Sequence, residues 1–178
     1  MSKALKGFES YIRSVRDFPK KGIVFRDITT LLKDGEALRQ VVERFHQKYK
    51  GMKIDKVVGV ESRGFIIGSA LAVKLETGFV PIRKRGKLPA ETVRQEYTLE
   101  YGTDIIEIHK DAISAGERVL LHDDLLATGG TISAACKLVE QLGGKIAGVC
   151  FLVELNFLKG RGRLSGYDVF SLVQYETE

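Results

Sequence analysis

Cysteine is scarce in this chain, and long apolar runs, internal repeats and the common nucleotide fingerprints are missing. Its two cysteines, Cys136 and Cys150, show no metal-ligand spacing and fall by pattern in a helix and a strand. They read as buried thiols and need no disulfide. No apolar run reaches the ~18 residues of a membrane span, and the N-terminus carries no signal-peptide core, so a cytoplasmic protein without a membrane partner is expected. No linker or low-complexity segment interrupts the 178 residues, which suit a single domain over 1–178. No Gly-Lys-Ser/Thr closes a P-loop, and no G-x-G-x-x-G follows a strand, so neither fingerprint applies. The net charge is +5, with cations gathered in Lys20-Lys21, Arg83-Lys84-Arg85-Gly86-Lys87 and Lys159-Gly160-Arg161-Gly162-Arg163. Without an aromatic platform or recognition helix, nucleic acid is not the expected partner. A polyphosphate substrate accounts for the middle cluster as well.

What is present is strand–helix alternation. Leu5, Phe8, Ile12 and Val15 recur at spacings of three and four, which predicts an amphipathic first helix ending at Phe18-Pro19. Leu38, Val41, Val42, Phe45 and Tyr49 predict a second, with Asp34 as its cap. Residues 56–60 read as a short apolar strand, 64–75 as a buried helix and 79–82 as the next strand. Residues 95–101 and 103–109 alternate about Gly102, as a hairpin would. Residues 118–121 form a strand, 132–142 a helix ended by Gly143-Gly144, and 146–155 and 169–174 further strands. The near-continuous apolar strands predict an α/β fold: an open, mostly parallel twisted sheet with helices on both faces. Ligands of such sheets sit beyond the carboxyl ends of the strands.

The most informative run is Val119-Leu120-Leu121-His122-Asp123-Asp124-Leu125-Leu126-Ala127-Thr128-Gly129-Gly130-Thr131. It reads as a strand, two acids at the strand's end, a small-residue loop and a helix. The carboxylates suit hydroxyl groups or a hydrated divalent cation. The loop suits a phosphate, because the first N–H groups of a helix lack internal partners and carry partial positive charge. A sugar diol beside a phosphate would fill both halves. Either piece alone is more often a turn or a solvated loop end, and it is their conjunction within thirteen residues that points to a site.

Glu61-Ser62-Arg63-Gly64-Phe65 also follows a strand and opens a helix, which suits a second anion or a plain capped turn. Arg83-Lys84-Arg85-Gly86-Lys87-Leu88-Pro89 packs four cations into five residues. As a bare surface loop it would repel itself. Over an anionic leaving group it would neutralise developing charge, and Gly86 would let it close as a basic lid.

The 119–131 run resembles the signature of the type I phosphoribosyltransferases. The likeness widens along the chain. Phe18-Pro19, Val24-Phe25-Arg26-Asp27-Ile28, the 61–65 loop, the 83–89 run, Leu99-Glu100-Tyr101-Gly102 and Leu152-Val153-Glu154-Leu155 together resemble the adenine phosphoribosyltransferase family in order and spacing. His122 departs from that pattern, which has an aliphatic residue there. It is expected to end the strand.

The resemblance implies transfer of phosphoribosyl from phosphoribosyl pyrophosphate to adenine. It assigns Asp123 and Asp124 to the ribose diol, and Ala127, Thr128, Gly129, Gly130 and Thr131 to the 5′-phosphate. Pyrophosphate falls to Glu61, Ser62, Arg63, Arg83, Lys84 and Lys87, with a cis peptide at Glu61–Ser62. Adenine falls to Val24, Phe25, Arg26, Tyr101 and Leu155. Glu100 would exchange the proton at N7, and Arg63 and Lys87 would stabilise the leaving group. Mg²⁺, held mainly by substrate near Asp123 and Asp124, is the implied cofactor. A homodimer is implied too, with Arg83 a candidate to reach the neighbour's site. Two alternatives share the signature: a transferase for another purine, and a non-catalytic sensor of phosphoribosyl pyrophosphate.

Overall fold

The computed structural model describes residues 7–98 and 102–178. In chain order the elements are β1 (Arg13–Arg16), β2 (Val24–Asp27), α1 (Thr29–Leu32), α2 (Gly35–Tyr49), β3 (Lys56–Val60), α3 (Gly64–Lys74) and β4 (Gly78–Lys84). There follow β5 (Thr92–Thr98), β6 (Thr103–His109), β7 (Arg118–Leu126), α4 (Gly130–Gln141), β8 (Lys145–Leu155) and β9 (Val169–Tyr175). Seven strands form one sheet in the order β5-β6-β4-β3-β7-β8-β9. The pairs β4–β3, β3–β7, β7–β8 and β8–β9 are parallel, while β6 runs antiparallel to both β4 and β5. The expected open, mostly parallel sheet is therefore present, with an antiparallel hairpin at one edge.

Alternation along the strands divides the apolar core into two layers. Val119 and Leu121 pack with Ile132, Ala135, Leu138 and Val139 of α4 on one face. Leu120 packs with Phe45, Tyr49, Ile67 and Leu71 of α2 and α3 on the other. Each fully buried large side chain contributes about 1.5–3 kcal/mol relative to exposure. The Asp34 carboxylate caps α2 as expected, accepting from the N–H groups of Glu36 and Ala37 at 3.0 and 2.9 Å. Such a cap contributes about 1 kcal/mol.

Three expectations need correction. Leu5 lies outside the described residues, and from Phe8 on the first segment is no long helix: Phe8–Tyr11 is one 3₁₀ turn, and Arg13–Arg16 is strand. Arg13, Ser14, Val15 and Arg16 pair residue by residue with Asp27, Arg26, Phe25 and Val24. Arg13 Nε also meets the Asp27 carboxylate at 3.0 Å. Pairing with a distant strand overrides the local helical spacing.

The helix expected at 64–75 is not buried all round, because only a stripe through Gly64, Ile67, Gly68, Leu71 and Ala72 meets the sheet. Ile66 and Val73 are exposed, at 45% and 78%.

His122 does not end its strand, since β7 continues to Leu126 and pairs with β8 as far as Leu126 opposite Glu154. Along that extension His122, Asp124 and Leu126 are buried while Asp123 and Leu125 are half-buried. The two acids are part of the strand rather than a solvated end.

Candidate functional site

Strands β3, β4, β7 and β8 all release their carboxyl ends toward one region, and each supplies part of a cleft. Beyond β7 the chain turns through Ala127 and Thr128 to Gly129, whose φ of 81° favours glycine. Helix α4 then opens at Gly130 with no side-chain cap, leaving its first N–H groups for a ligand. A cleft of about 70 Å³ lies there, lined by Asp123 and residues 125–132. All five expected phosphate-loop residues, Ala127, Thr128, Gly129, Gly130 and Thr131, line it.

Asp123 and Asp124 stand beside this loop against the start of α3. A Cβ on Gly64 would lie 3.0 Å from Asp123 Oδ1, so only glycine lets the helix approach so closely. Arg63 Nε sits 3.0 Å from Asp124 Oδ2. That oxygen is buried but has no partner aligned for a hydrogen bond. Burial, then the neighbouring charge of Asp124, raises the Asp123 carboxyl well above the ordinary range. Burial raises Asp124 too, partly offset by Arg63. The pair holds more negative charge than its surroundings balance, so it suits a cation or hydroxyl donors. A Mg²⁺ ion fits that donor set, because it accepts one or two carboxylates and takes its other ligands from substrate and water.

The peptide Glu61–Ser62 is cis, as expected. The Glu61 carboxylate, however, grips a cation: Oε2 accepts from Arg83 Nε at 2.9 Å and from the Lys84 N–H at 3.0 Å. Arg83 also donates to the Lys87 carbonyl at 3.2 Å, and Lys84 Nζ meets Asp104 at 3.0 Å. The basic run is thus not a self-repelling loop. Its turn is held by Glu107, which is fully buried. Glu107 Oε1 accepts from the N–H groups of Gly86, Lys87 and Leu88 at 2.9, 3.1 and 3.2 Å. Its other oxygen meets Arg94 Nε at 3.1 Å. Three successive N–H groups around one anion form a nest, here filled by a carboxylate of the chain itself.

A second cavity of about 430 Å³ adjoins the phosphate cleft and shares Leu125, Ala127 and Thr128 with it. Val24, Phe25, Arg26 and Leu155 all line it, as expected, joined by Ile23, Leu125, Leu158 and Glu178. The Phe25 ring lies between the edge contact of Phe18, at 5.2 Å between centroids, and the Arg63 guanidinium, 5.2 Å from its own centroid. Arg26 stacks over Tyr175 at 3.9 Å and donates to Ser14 Oγ, which fastens the cavity wall to β1 and β9. Glu100 and Tyr101 lie outside the described residues.

Sequence reasoning missed Glu107, Leu158 and Gly160. Gly160 touches the phosphate loop with its backbone, and a Cβ there would overlap the Ala127 carbonyl oxygen. In the sequence it was only a spacer among cations.

Residues 28–176 match the phosphoribosyl transferase domain family. The chain is 58% identical over 167 residues to an adenine phosphoribosyltransferase of Christiangramia forsetii, covering 94% of this chain and 98% of the relative. Its fold is similar to the crystal structure of adenine phosphoribosyltransferase from Thermoanaerobacter pseudethanolicus, with a TM-score of 0.92 and 54% identity over 94% of this chain and 98% of that one. It is similar also to the Saccharomyces cerevisiae enzyme complexed with an imino-altritol bisphosphate and adenine, with a TM-score of 0.88 and 41% identity over 93% and 96%.

Proposed function

The chain belongs to the adenine phosphoribosyltransferases, within the phosphoribosyl transferase domain family, and from that premise we propose how its residues carry out the transfer. It moves 5-phosphoribosyl from phosphoribosyl pyrophosphate to adenine in purine salvage, forming AMP and pyrophosphate. The observation that carries this reading is the pair of adjoining cavities. A mostly apolar one suits a base, a backbone-lined one suits a phosphate, and Ala127 and Thr128 belong to both. A nucleotide, with a base at one end and a phosphate at the other, would occupy both.

The C1′–O bond to pyrophosphate breaks with its electron pair leaving on the oxygen. The sugar becomes oxocarbenium-like, and N9 of adenine bonds to C1′. Arg63, Arg83, Lys84 and Lys87 meet the charge growing on pyrophosphate, which is where fixed cations contribute most. Asp123 and Asp124 orient the ribose hydroxyls. Mg²⁺, when bound with the substrate, would neutralise part of the pyrophosphate charge, and Asp124 Oδ2, buried and accepting no aligned hydrogen bond beside Arg63, supports a site for it here. Ser62 and the Gly64 N–H that opens α3 hold pyrophosphate beside Arg63. Glu100, with Tyr101 next to it, takes the N7 proton as N9 becomes nucleophilic. Phe25 stacks on the base, main-chain groups of Val24 and Arg26 read its 6-amino edge, and Leu155 closes the apolar side.

The reading extends to one catalytic domain over 1–178, cytoplasmic residence and a homodimer. The single seven-stranded sheet supports the first, and the exposed Ile66 and Val73 on α3 support the last. Among the described residues no helix is long and apolar enough to cross a membrane.

The test is product formation with adenine, hypoxanthine, guanine and xanthine at fixed phosphoribosyl pyrophosphate and Mg²⁺. Adenine should be preferred by about 10⁴, because a backbone acceptor that suits the 6-amino group opposes O6. Comparable turnover of guanine or hypoxanthine would overturn the specificity, and binding without turnover would point to a sensor.

A further inference from the structure

Between β8 and β9 the chain makes a short irregular excursion that touches both halves of the site. Leu155 and Leu158 line the base cavity. Lys159 follows in the left-handed region at φ 54°, and then comes Gly160. Gly160 is buried and lies backbone to backbone on the 127–129 turn. A Cβ on Gly129 would stand 2.6 Å from the Gly160 carbonyl oxygen. Neither position has room for a side chain, so any shift of one segment moves the other.

The ends of this excursion are tied together. Glu154 is 3% exposed, and its Oε1 and Oε2 accept from Arg161 Nε and Nη2 at 2.9 and 2.5 Å. Ser171 Oγ donates to Oε2 at 2.6 Å, and Arg161 Nη1 reaches the Val169 carbonyl at 3.0 Å. A two-pronged guanidinium–carboxylate pair fixes direction as well as distance. Here it spans the residues that bracket Leu155, Leu158 and Gly160.

We infer that the Glu154–Arg161 pair is a positioning device, which presses Gly160 onto the 127–129 turn and so sets the 5′-phosphate loop relative to the base cavity. The inference rests on the phosphoribosyl-transfer reading above. Both residues act through Gly160 and do not touch the substrate. A displacement of about 1 Å in such a loop can cost about 10²-fold.

The experiment compares wild type, Arg161→Met, Arg161→Met with Glu154→Gln, and Gly160→Ala. The double variant leaves no uncompensated buried carboxylate, so it separates positioning from folding. Gly160 has no positive φ, so alanine there acts through the contact alone. The Kd of AMP and the KM for phosphoribosyl pyrophosphate should rise about tenfold or more in all three. The inhibition constant of pyrophosphate, held by residues 61–63 and 83–87, should move by less than about twofold. Unchanged AMP affinity in the folded double variant overturns the inference. So does a parallel loss of AMP and pyrophosphate affinity, which marks general loosening. A wild type that binds neither AMP nor phosphoribosyl pyrophosphate overturns the functional reading, and the inference with it.

Discussion

Replacing Glu107 tests whether the basic turn is preorganised. Its carboxylate is fully buried and holds three backbone N–H groups and Arg94. Glu107→Ala leaves three backbone N–H groups without their acceptor, and a buried donor left unsatisfied costs about 1–3 kcal/mol. Glu107→Gln keeps one acceptor oxygen but turns an NH₂ toward donors, which costs about 1–3 kcal/mol. The stability difference should also depend on pH. Burial alone would raise this carboxyl, but the Leu88 N–H, Arg94, and the Gly86 and Lys87 N–H groups outweigh it and hold it below the ordinary range. A lowered folded value stabilises the fold above the unfolded value and is lost as pH falls through the folded one. Urea unfolding at pH 7 should therefore separate wild type from Glu107→Gln more widely than at pH 4. In steady-state kinetics, the KM for phosphoribosyl pyrophosphate should rise while that for adenine holds, because the turn carries Lys87. The reasoning fails if Glu107→Ala unfolds within about 1 kcal/mol of wild type at pH 7. It fails equally if the gap to Glu107→Gln ignores pH.

Two further perturbations address β7. Burial pushes the His122 imidazole down to about 4, so between pH 6.5 and that value the unfolded chain binds a proton the folded chain refuses. As pH falls through that window His122 by itself should remove about 1.4 kcal/mol of stability per pH unit, and His122→Leu should abolish that contribution; equal slopes in unfolding curves of the two proteins refute this. At Asp123 and Asp124 the folded values are raised, so the charged pair opposes folding at neutral pH. Asp123→Asn with Asp124→Asn should keep or raise the thermal midpoint while activity drops by orders of magnitude, and retention of most activity contradicts their role at the diol.

Sequence legibility followed the range of the interactions. Helix α2 and strand β3 could be read directly, because the α2 cap and apolar periodicity are local and β3 is a short run of apolar residues. The phosphate loop was legible for the same reason, as a strand, a glycine pair and a helix start lie within thirteen residues. The first segment was misread because Val15 answers to Phe25, ten residues on, rather than to Phe8 and Ile12. Strand β7 looked shorter than it is because acids in sequence suggest water. Only the parallel partner β8 shows that they belong to the strand, Asp124 buried and Asp123 half-buried. Glu107 gave no signal at all: it stands in an alternating strand, and its donors come from a turn some twenty residues earlier.

The contact between Gly129 and Gly160 divides the site into parts with different freedom to change. At the phosphate side the turn rests on a backbone-to-backbone approach, where a methyl group at either glycine would meet main chain. The base side is lined by the side chains of Ile23, Phe25, Leu155 and Leu158, none of which meets the Gly129–Gly160 contact directly. Redesign toward a different nucleobase therefore has a clear address. It belongs on β2 and just after β8, where the cavity wall can be recut while the handle common to all nucleoside monophosphates stays in place.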